Sequence, residues 1–390
     1  MSNVLVIGGT GNMGRPLVKY LLAGGCSVSV VCRRKVGDDD EKDLARSGGK
    51  YLYGDAKNMK FMREVLNRYF DAIVDFCIYS SDEFHDRMDM FLDKTDQHVC
   101  LSTAAVYADI PTPKTESSPR YMEVDPPKEG TVKWGWYCYE KARIEDMLIA
   151  SDRHNWTIVR PGVTMNADHV GWGLWWNDDW CGRILRGRKV VVEKDILDFK
   201  FSLSSGAQVA LLIVSVIGNR KAFGEIFNVC SEEVWSWRNL LDLHRLIFQK
   251  NGYDLKLAFV NSQDVIRMGL GSEYSYARAR LLDRVFDNSK IQSIGPGIAD
   301  GLQGCQKSMT ELLEEWIVCY IRQYKSIHTL GGNNLWKTAQ LDRLSGDHSS
   351  RRDFYSFRQC LKYLIIRYFP VITRFQSCTK RRVKNLFASR

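Results

Sequence analysis

The sequence has no run of 18 or more apolar residues, so no segment reads as a membrane-crossing helix. Its start, MSNVLVIGG, has neither a basic leader nor a small-residue cleavage site, and a cytoplasmic protein is the expectation. CxxC spacing is missing as well. The 11 cysteines are odd in number, and Cys32, Cys77, Cys100 and Cys230 fall at the ends of apolar runs, where a reduced thiol behaves as a small hydrophobe. This argues against a disulfide framework and against a zinc site. The 7 histidines do not gather beside cysteines or carboxylates, which leaves metal catalysis without a ligand set. Internal repeats and low-complexity runs are also lacking.

What is present is an ordinary globular composition over 390 residues, long enough for two domains or one large α/β domain with extensions. The net charge of +9 is unevenly placed: residues 341–390 hold 12 Lys+Arg against 3 Asp+Glu, and the first 340 residues balance. Short apolar runs (NVLVI, SVSVVC, KYLYGD, DAIVDFC, HVCLST, WTIVRPG) alternate with segments of helical periodicity (RPLVKYLLAGG, EKDLAR, FMREVLNRY, DEFHDRMDMFLDK and the segment around 134–148). Strands separated by helices of that length mean βαβ units and a parallel sheet. The expected fold is α/β: a Rossmann-type doubly wound parallel sheet over 1–160, with EIFNVC (225–230) returning to it. A smaller C-terminal α/β portion is expected over 161–330 for substrate, and a linker with a basic amphipathic tail over 331–390.

GGTGNMG lies between the first strand and the first helix and reads in two registers, Gly9-x-Gly11-x-x-Gly14 or Gly8-x-x-Gly11-x-x-Gly14. In either, glycines let backbone N–H groups reach a pyrophosphate at the positive end of a helix. Gly8, Thr10, Gly11, Asn12, Met13 and Gly14 are therefore candidate dinucleotide contacts. Where an acidic residue would hold the ribose 2′-OH of NAD, the chain reads Arg33–Arg34–Lys35, so charge favours NADP with NAD as the alternative. Asp55 and Ala56 follow the third strand; Asp55 either meets the adenine amino group or caps the helix before KNMKFM.

WGWYCYEKARIEDML (134–148) holds Tyr137, Tyr139 and Lys141. Residues four apart share a helix face and residues two apart do not, so Tyr137 meets Lys141 and Tyr139 faces elsewhere. A neighbouring ammonium favours a phenolate, and lowering a phenol from its reference near ~10 to neutrality needs about 4 kcal/mol of differential interaction. The alternative is that both residues belong to an ordinary helix surface.

Taken together, GGTGNMG, the Gly54–Asp55 pair, LSTAAVY (101–107), YCYEK and IVRPG (158–162) come in an order and spacing that resembles the extended short-chain dehydrogenase/reductase family. These are NAD(P)-dependent epimerases, dehydratases and reductases of sugar nucleotides, and the resemblance covers roughly residues 3–230. It implies that Thr103 hydrogen-bonds the reacting oxygen, that Tyr137 gives or takes the proton, and that Lys141 binds the nicotinamide ribose. Pro161, between Arg160 and Gly162, would line the nicotinamide side. Ala104–Ala105 stand where dehydratases of the family carry an Asp–Glu pair, which leaves an epimerase or a ketoreductase. A homodimer acting on a nucleotide sugar is the expected assembly and substrate. FKFSLSSGAQVA and VTMNADHVG depart from the family's pattern, so substrate contacts have diverged. The rival readings are a catalytically inactive NADP-binding sensor or scaffold on the same fold, and a membrane-surface-associated reductase of a non-nucleotide substrate.

Trp172, Trp175, Trp176 and Trp180 either stack on a substrate or pack the smaller portion. Arg183, Arg186 and Arg188 either meet a diphosphate or form a solvated helix face. In the tail, DFYSFRQCLKYLIIRYFPVITRF followed by Lys380, Arg381, Arg382 and Lys384 suits contact with an anionic membrane surface over 353–384, or packing on the enzyme body. Nucleic acid is disfavoured because no RNA-binding motif accompanies the charge.

Overall fold

The computed structural model describes residues 2–126, 137–302, 307–324, 335–354 and 356–369. A seven-stranded sheet is made by β1 (Asn3–Ile7), β2 (Ser27–Cys32), β3 (Gly49–Tyr53), β4 (Phe70–Asp75), β5 (Thr95–Leu101), β6 (Trp156–Pro161) and the returning strand Glu225–Val229. Their order is returning strand, β6, β5, β4, β1, β2, β3, and every neighbouring pair is parallel. Strands buried on both faces need continuous apolar runs, which is what NVLVI and SVSVVC supply. Val4, Val6, Val28 and Val30 turn to one side, against α1 (Gly14–Ala23) and the helix Gly206–Val216. Leu5, Ile7, Val31 and Ile73 turn to the other, toward α3 (Met59–Val65), α4 (Ser81–Leu92) and α6 (Tyr137–Ile149), which follows the single turn α5 (Tyr121–Val124). The doubly wound expectation is met.

From β1 the chain winds outward through β2, α2 (Asp38–Arg46) and β3, then crosses back to β4 on the opposite side of β1. Between the carboxyl ends of β1 and β4 lies the switch point, where open α/β sheets leave a crevice for ligand. Gly8 and Phe76 meet there: a Cβ on Gly8 would stand 3.2 Å from that of Phe76.

The chain divides into two compact units. The first contains residues 1–168, 199–236 and 282–312. It includes a small second sheet, in which Lys200–Ser205 pairs in parallel with Val163–Met165 and antiparallel with Val234–Ser236. The second contains 169–198, 237–281 and 313–390. The stretch 331–350, expected as a linker, forms in its described part the helix Leu335–Ser345, and the helix Phe357–Tyr368 packs on it through Cys360, Tyr363 and Ile366. Tail residues Arg374, Lys380, Arg381, Arg382 and Lys384 lie outside the described residues, as do Trp134, Gly135 and Trp136.

Two expectations for the second unit are corrected by its ion pairs. Arg183 and Arg188 are neither a solvated face nor open to a diphosphate. Arg183 is 3% exposed and bound to Asp342 at 2.6 Å and Asp347 at 3.2 Å; Arg188 pairs with Asp353 and donates to Ser349. Carboxylates 159 to 165 residues downstream cannot be paired by reading local periodicity. Arg186 lies over the Tyr324 ring. The tryptophans mostly pack: Trp172, Trp175 and Trp180 are each 1% exposed, with Trp175 Nε1 donating to the Val191 carbonyl and Trp180 Nε1 to that of Val170. Trp176 is half-buried and stacks on His169.

Candidate active site

The glycine turn is built for close backbone approach. Gly8 has φ +80°, a conformation glycine adopts freely. A Cβ on Gly14 would fall 2.6 Å from both the Gly8 carbonyl oxygen and the Gly9 Cα, so only glycine lets α1 begin this close to β1. Gly11 differs: its Cβ would meet only the Gly8 oxygen at 3.4 Å, and the residue is exposed, as is Asn12. Met13 stands at the N-cap of α1 and its side chain supplies no cap. Among the described residues, the N–H groups of Asn12 and Met13 have no protein acceptor. Unpaired N–H groups at a helix N-terminus beside an open glycine fit a phosphate, so the turn suits a dinucleotide pyrophosphate. Thr10 is half-buried on the same turn.

Past the end of β2, Arg33, Arg34 and Lys35 are exposed, and Lys35 reaches Asp38 at 3.7 Å. Four acids, Asp38 to Glu41, follow in the first turn of α2, where the helix dipole favours them. Asp55 is exposed and accepts the Lys57 N–H at 3.0 Å. It does not cap α3. Asn58 does, accepting from the N–H groups of Lys60 and Phe61, and the Asp55 side chain stays exposed. Ala56 is buried behind it.

β5 ends at Leu101, and the chain turns through Ser102 and Thr103 into a single 3-10 turn, Ala104–Val106. Thr103 Oγ1 accepts the Ala105 N–H at 3.2 Å, which fixes its hydroxyl at the carboxyl edge of the sheet. Lys141 lies on α6, 2% exposed, with Nζ donating to the Leu101 carbonyl at 2.6 Å. The lysine is thereby held two residues from Thr103. Tyr137, one helical turn earlier and the first residue of α6, is 39% exposed. Tyr139 is buried, and its hydroxyl donates to the Asp125 carbonyl at 2.6 Å. Of the two tyrosines, Tyr137 is the exposed one among the described residues. Pro161 ends β6, and Arg160 beside it is structural rather than site-facing.

Sequence reasoning missed the polar frame behind these groups. Glu145, four residues after Lys141 and 1% exposed, accepts from Ser102 Oγ (2.5 Å), Arg160 Nε (2.8 Å), Arg160 Nη2 (2.6 Å) and Arg120 Nη1 (3.0 Å). Burial opposes the Arg160 charge, and Glu145 outweighs it, so the guanidinium stays firmly protonated. Arg160 also covers the Tyr107 ring at 4.8 Å, and the Tyr107 hydroxyl, pushed up to about 12 by burial, donates to Asn228. β5, α6, β6 and the returning strand are thus tied together behind Thr103 and Lys141. The signal available was the i, i+4 spacing of Lys141 and Glu145; what Glu145 would meet was not in the sequence.

Comparison with known proteins agrees with this architecture. Residues 8–183 match the family model described as NAD(P)H-binding. A curated relative, the chloroplast stem-loop binding protein of 41 kDa b of Arabidopsis thaliana, is 26% identical over 246 residues, covering 59% of this chain and 59% of the relative, so the match spans about three fifths of that protein. Among solved structures, the UDP-Glc/GlcNAc 4-epimerase of Campylobacter jejuni superposes with a TM-score of 0.61 at 16% identity, over 83% of this chain and 100% of the other. A short-chain dehydrogenase/reductase superfamily protein of Agrobacterium tumefaciens with bound NAD gives 0.57 at 15% identity, over 83% and 98%. Residues 8–183 are thus similar to an NAD(P)H-binding domain, and the chain has the Rossmann-like fold of these solved structures.

Proposed function

We propose that this protein, whose NAD(P)H-binding domain lies on the fold of epimerases and short-chain reductases, is an NAD(P)-dependent sugar-nucleotide epimerase or ketoreductase using Thr103, Tyr137 and Lys141. The observation that carries the reading is Lys141: a buried ammonium tied to the Leu101 carbonyl, one turn from an open phenol and two residues from the Thr103 hydroxyl. A bound nicotinamide supplies the hydride chemistry. Tyr137 exchanges the proton of the substrate C–O group while Thr103 hydrogen-bonds the same oxygen. Lys141 has three N–H donors, one of which serves Leu101, leaving two for the ribose hydroxyls and the phenol. Ala104, buried where an acid would stand, supports a reaction without elimination of water. Sugar nucleotides as substrates are supported by the likeness to the Campylobacter jejuni UDP-Glc/GlcNAc 4-epimerase.

The exposed Arg33, Arg34 and Lys35 favour NADP over NAD through their charge toward a 2′-phosphate. The test is the coenzyme carried through purification together with the affinities for NADPH and NADH. Retained NAD marks an epimerase, an empty site preferring NADPH marks a reductase, and failure to bind either dinucleotide refutes the proposal.

A second reading draws on the relative's name, a stem-loop binding protein, and on the basic last 50 residues. It predicts salt-sensitive binding of a labelled stem-loop RNA. Absence of a gel shift at low salt removes it.

A further inference from the structure

Arg160, Arg183 and Arg188 are buried arginines with carboxylates within ion-pair distance, and buried Arg87, which has none among the described residues, donates to the Lys57 carbonyl and lies over the Tyr79 ring. Arg284 is not provided for in this way. It is 8% exposed, and among the described residues no carboxylate and no hydrogen-bond acceptor is paired with its guanidinium, which lies 6.0 Å from the Phe286 ring centre. Lys114, 1% exposed, is a second buried cation nearby: its Nζ donates to the Ala108 carbonyl at 2.8 Å, and it too has no carboxylate within ion-pair distance among the described residues. Burial and the repulsion of Arg284 outweigh the pull of the more distant Asp109 and Asp283, and bring the Lys114 ammonium down to about 8. Burial likewise works against the Arg284 charge.

The backbone holds both in place. Arg284 bridges to Phe201, its N–H donating to the Lys200 carbonyl (2.7 Å) and its carbonyl accepting from Ser202 (2.9 Å). Lys114 bridges to Phe286, its N–H donating to the Val285 carbonyl at 2.9 Å. Phe286 in turn packs on Tyr107 and would touch a Cβ at Gly162, directly after Pro161. The titratable groups that act on Arg284 are the Tyr121 hydroxyl and the Cys138 thiol, and Cys138 is the neighbour of Tyr137 on α6. A buried cation without a counter-charge is costly, and two of them close to Tyr107 and Gly162 offer an anion a place to offset that cost.

We propose that Arg284, with Lys114 behind it, binds an oxyanion on the reacting part of the substrate itself, a carboxylate or a phosphate beside the C–O group that Tyr137 handles. This rests on the oxidoreductase reading and narrows it to sugars or sugar acids that bear a negative charge near the reacting carbon. A planar fork of donors suits either oxyanion, bidentately.

The full chain, saturated with NADPH, is titrated with inorganic phosphate, with glucuronate and with neutral glucose, for wild type, Arg284→Gln and Arg284→Lys. The expected result is binding of one or both anions and not of glucose, weakened about tenfold or more in Arg284→Gln and partly restored in Arg284→Lys. Glucuronate alone assigns a carboxylate, phosphate alone a phosphate. Coenzyme fluorescence on the same samples stays unchanged across the variants. Melting temperature does not fall in Arg284→Gln, since an unpaired buried charge is removed. Equal anion binding in wild type and Arg284→Gln, or no anion binding to wild type, overturns the proposal. Loss of NADPH binding in wild type instead strikes the oxidoreductase reading.

Discussion

Glu145 is the point at which the frame behind the site can be tested most severely. Its two oxygens accept four hydrogen bonds, from Ser102, twice from Arg160 and from Arg120, at 2.5 to 3.0 Å. Glu145 is 1% exposed and Arg160 2%. Glu145→Gln keeps the shape, removes the charge, and turns an N–H₂ toward one of the groups that now donate. Breaking one side of a buried ion pair costs about 3–5 kcal/mol, because the remaining guanidinium is left in a low-dielectric site without its counter-charge. At roughly 2–4 °C per kcal/mol for a unit of this size, the melting temperature should drop by about 6–20 °C. Thermal and urea melts of wild type, Glu145→Gln, Arg160→Gln and the double variant read this out. In the double variant much of the loss is recovered, since the orphaned charge goes with its partner. A Glu145→Gln melt within about 2 °C of wild type would refute the argument that the network is held by charge.

Glu193 in the second unit predicts a pH dependence. Full burial raises its carboxyl from 4.5 to about 7, although Tyr276 donates to it at 2.8 Å. Between those values the folded protein holds a proton that the unfolded chain has released, so stability should fall as pH rises from 4.5 to about 7, by roughly 3 kcal/mol, and then level off. Glu193→Gln should flatten that slope in urea melts across the range; parallel curves for the two proteins would refute it. The helix Phe357–Tyr368 buries Cys360, Tyr363 and Ile366 and exposes Phe357, Leu361, Leu364, Ile365 and Tyr368, beside Arg358 and Lys362. Full-length protein should therefore sediment with anionic vesicles more than with neutral ones, and Leu361→Glu should weaken this. Equal sedimentation by the variant would remove the membrane contact.

The sheet was legible because its strands are covered on both faces and must be apolar throughout, and because GGTGNMG marks where the first strand turns into a helix. Tyr137 could be chosen over Tyr139 from helical spacing, and the hydroxyl that Tyr139 spends on Asp125 agrees with that choice. Arg183 and Arg188 were illegible for a physical reason: their partners Asp342, Asp347 and Asp353 lie far along the chain, and long-range charge pairing leaves no periodic trace. The same holds for Arg160 and Glu145, whose roles depend on β6 and α6 being side by side. Helix Leu335–Ser345 was missed because its polar composition hides an inward face of Leu335, Ala339 and Asp342, the last neutralised by Arg183. Asp55 and Asn58 show a smaller limit: both suit an N-cap, and a shift of three residues decides which one caps α3.

The claim that Tyr137 carries the proton while the dinucleotide carries the hydride is tested most directly by single-turnover oxidation of bound NADPH in the presence of 4-keto nucleotide sugars, comparing wild type with Tyr137→Phe. The account predicts coenzyme oxidation by wild type, unchanged NADPH affinity in Tyr137→Phe, and a rate at least about a hundredfold lower, as expected for loss of a general acid. Equal rates in the two proteins, with coenzyme bound in both, would contradict it.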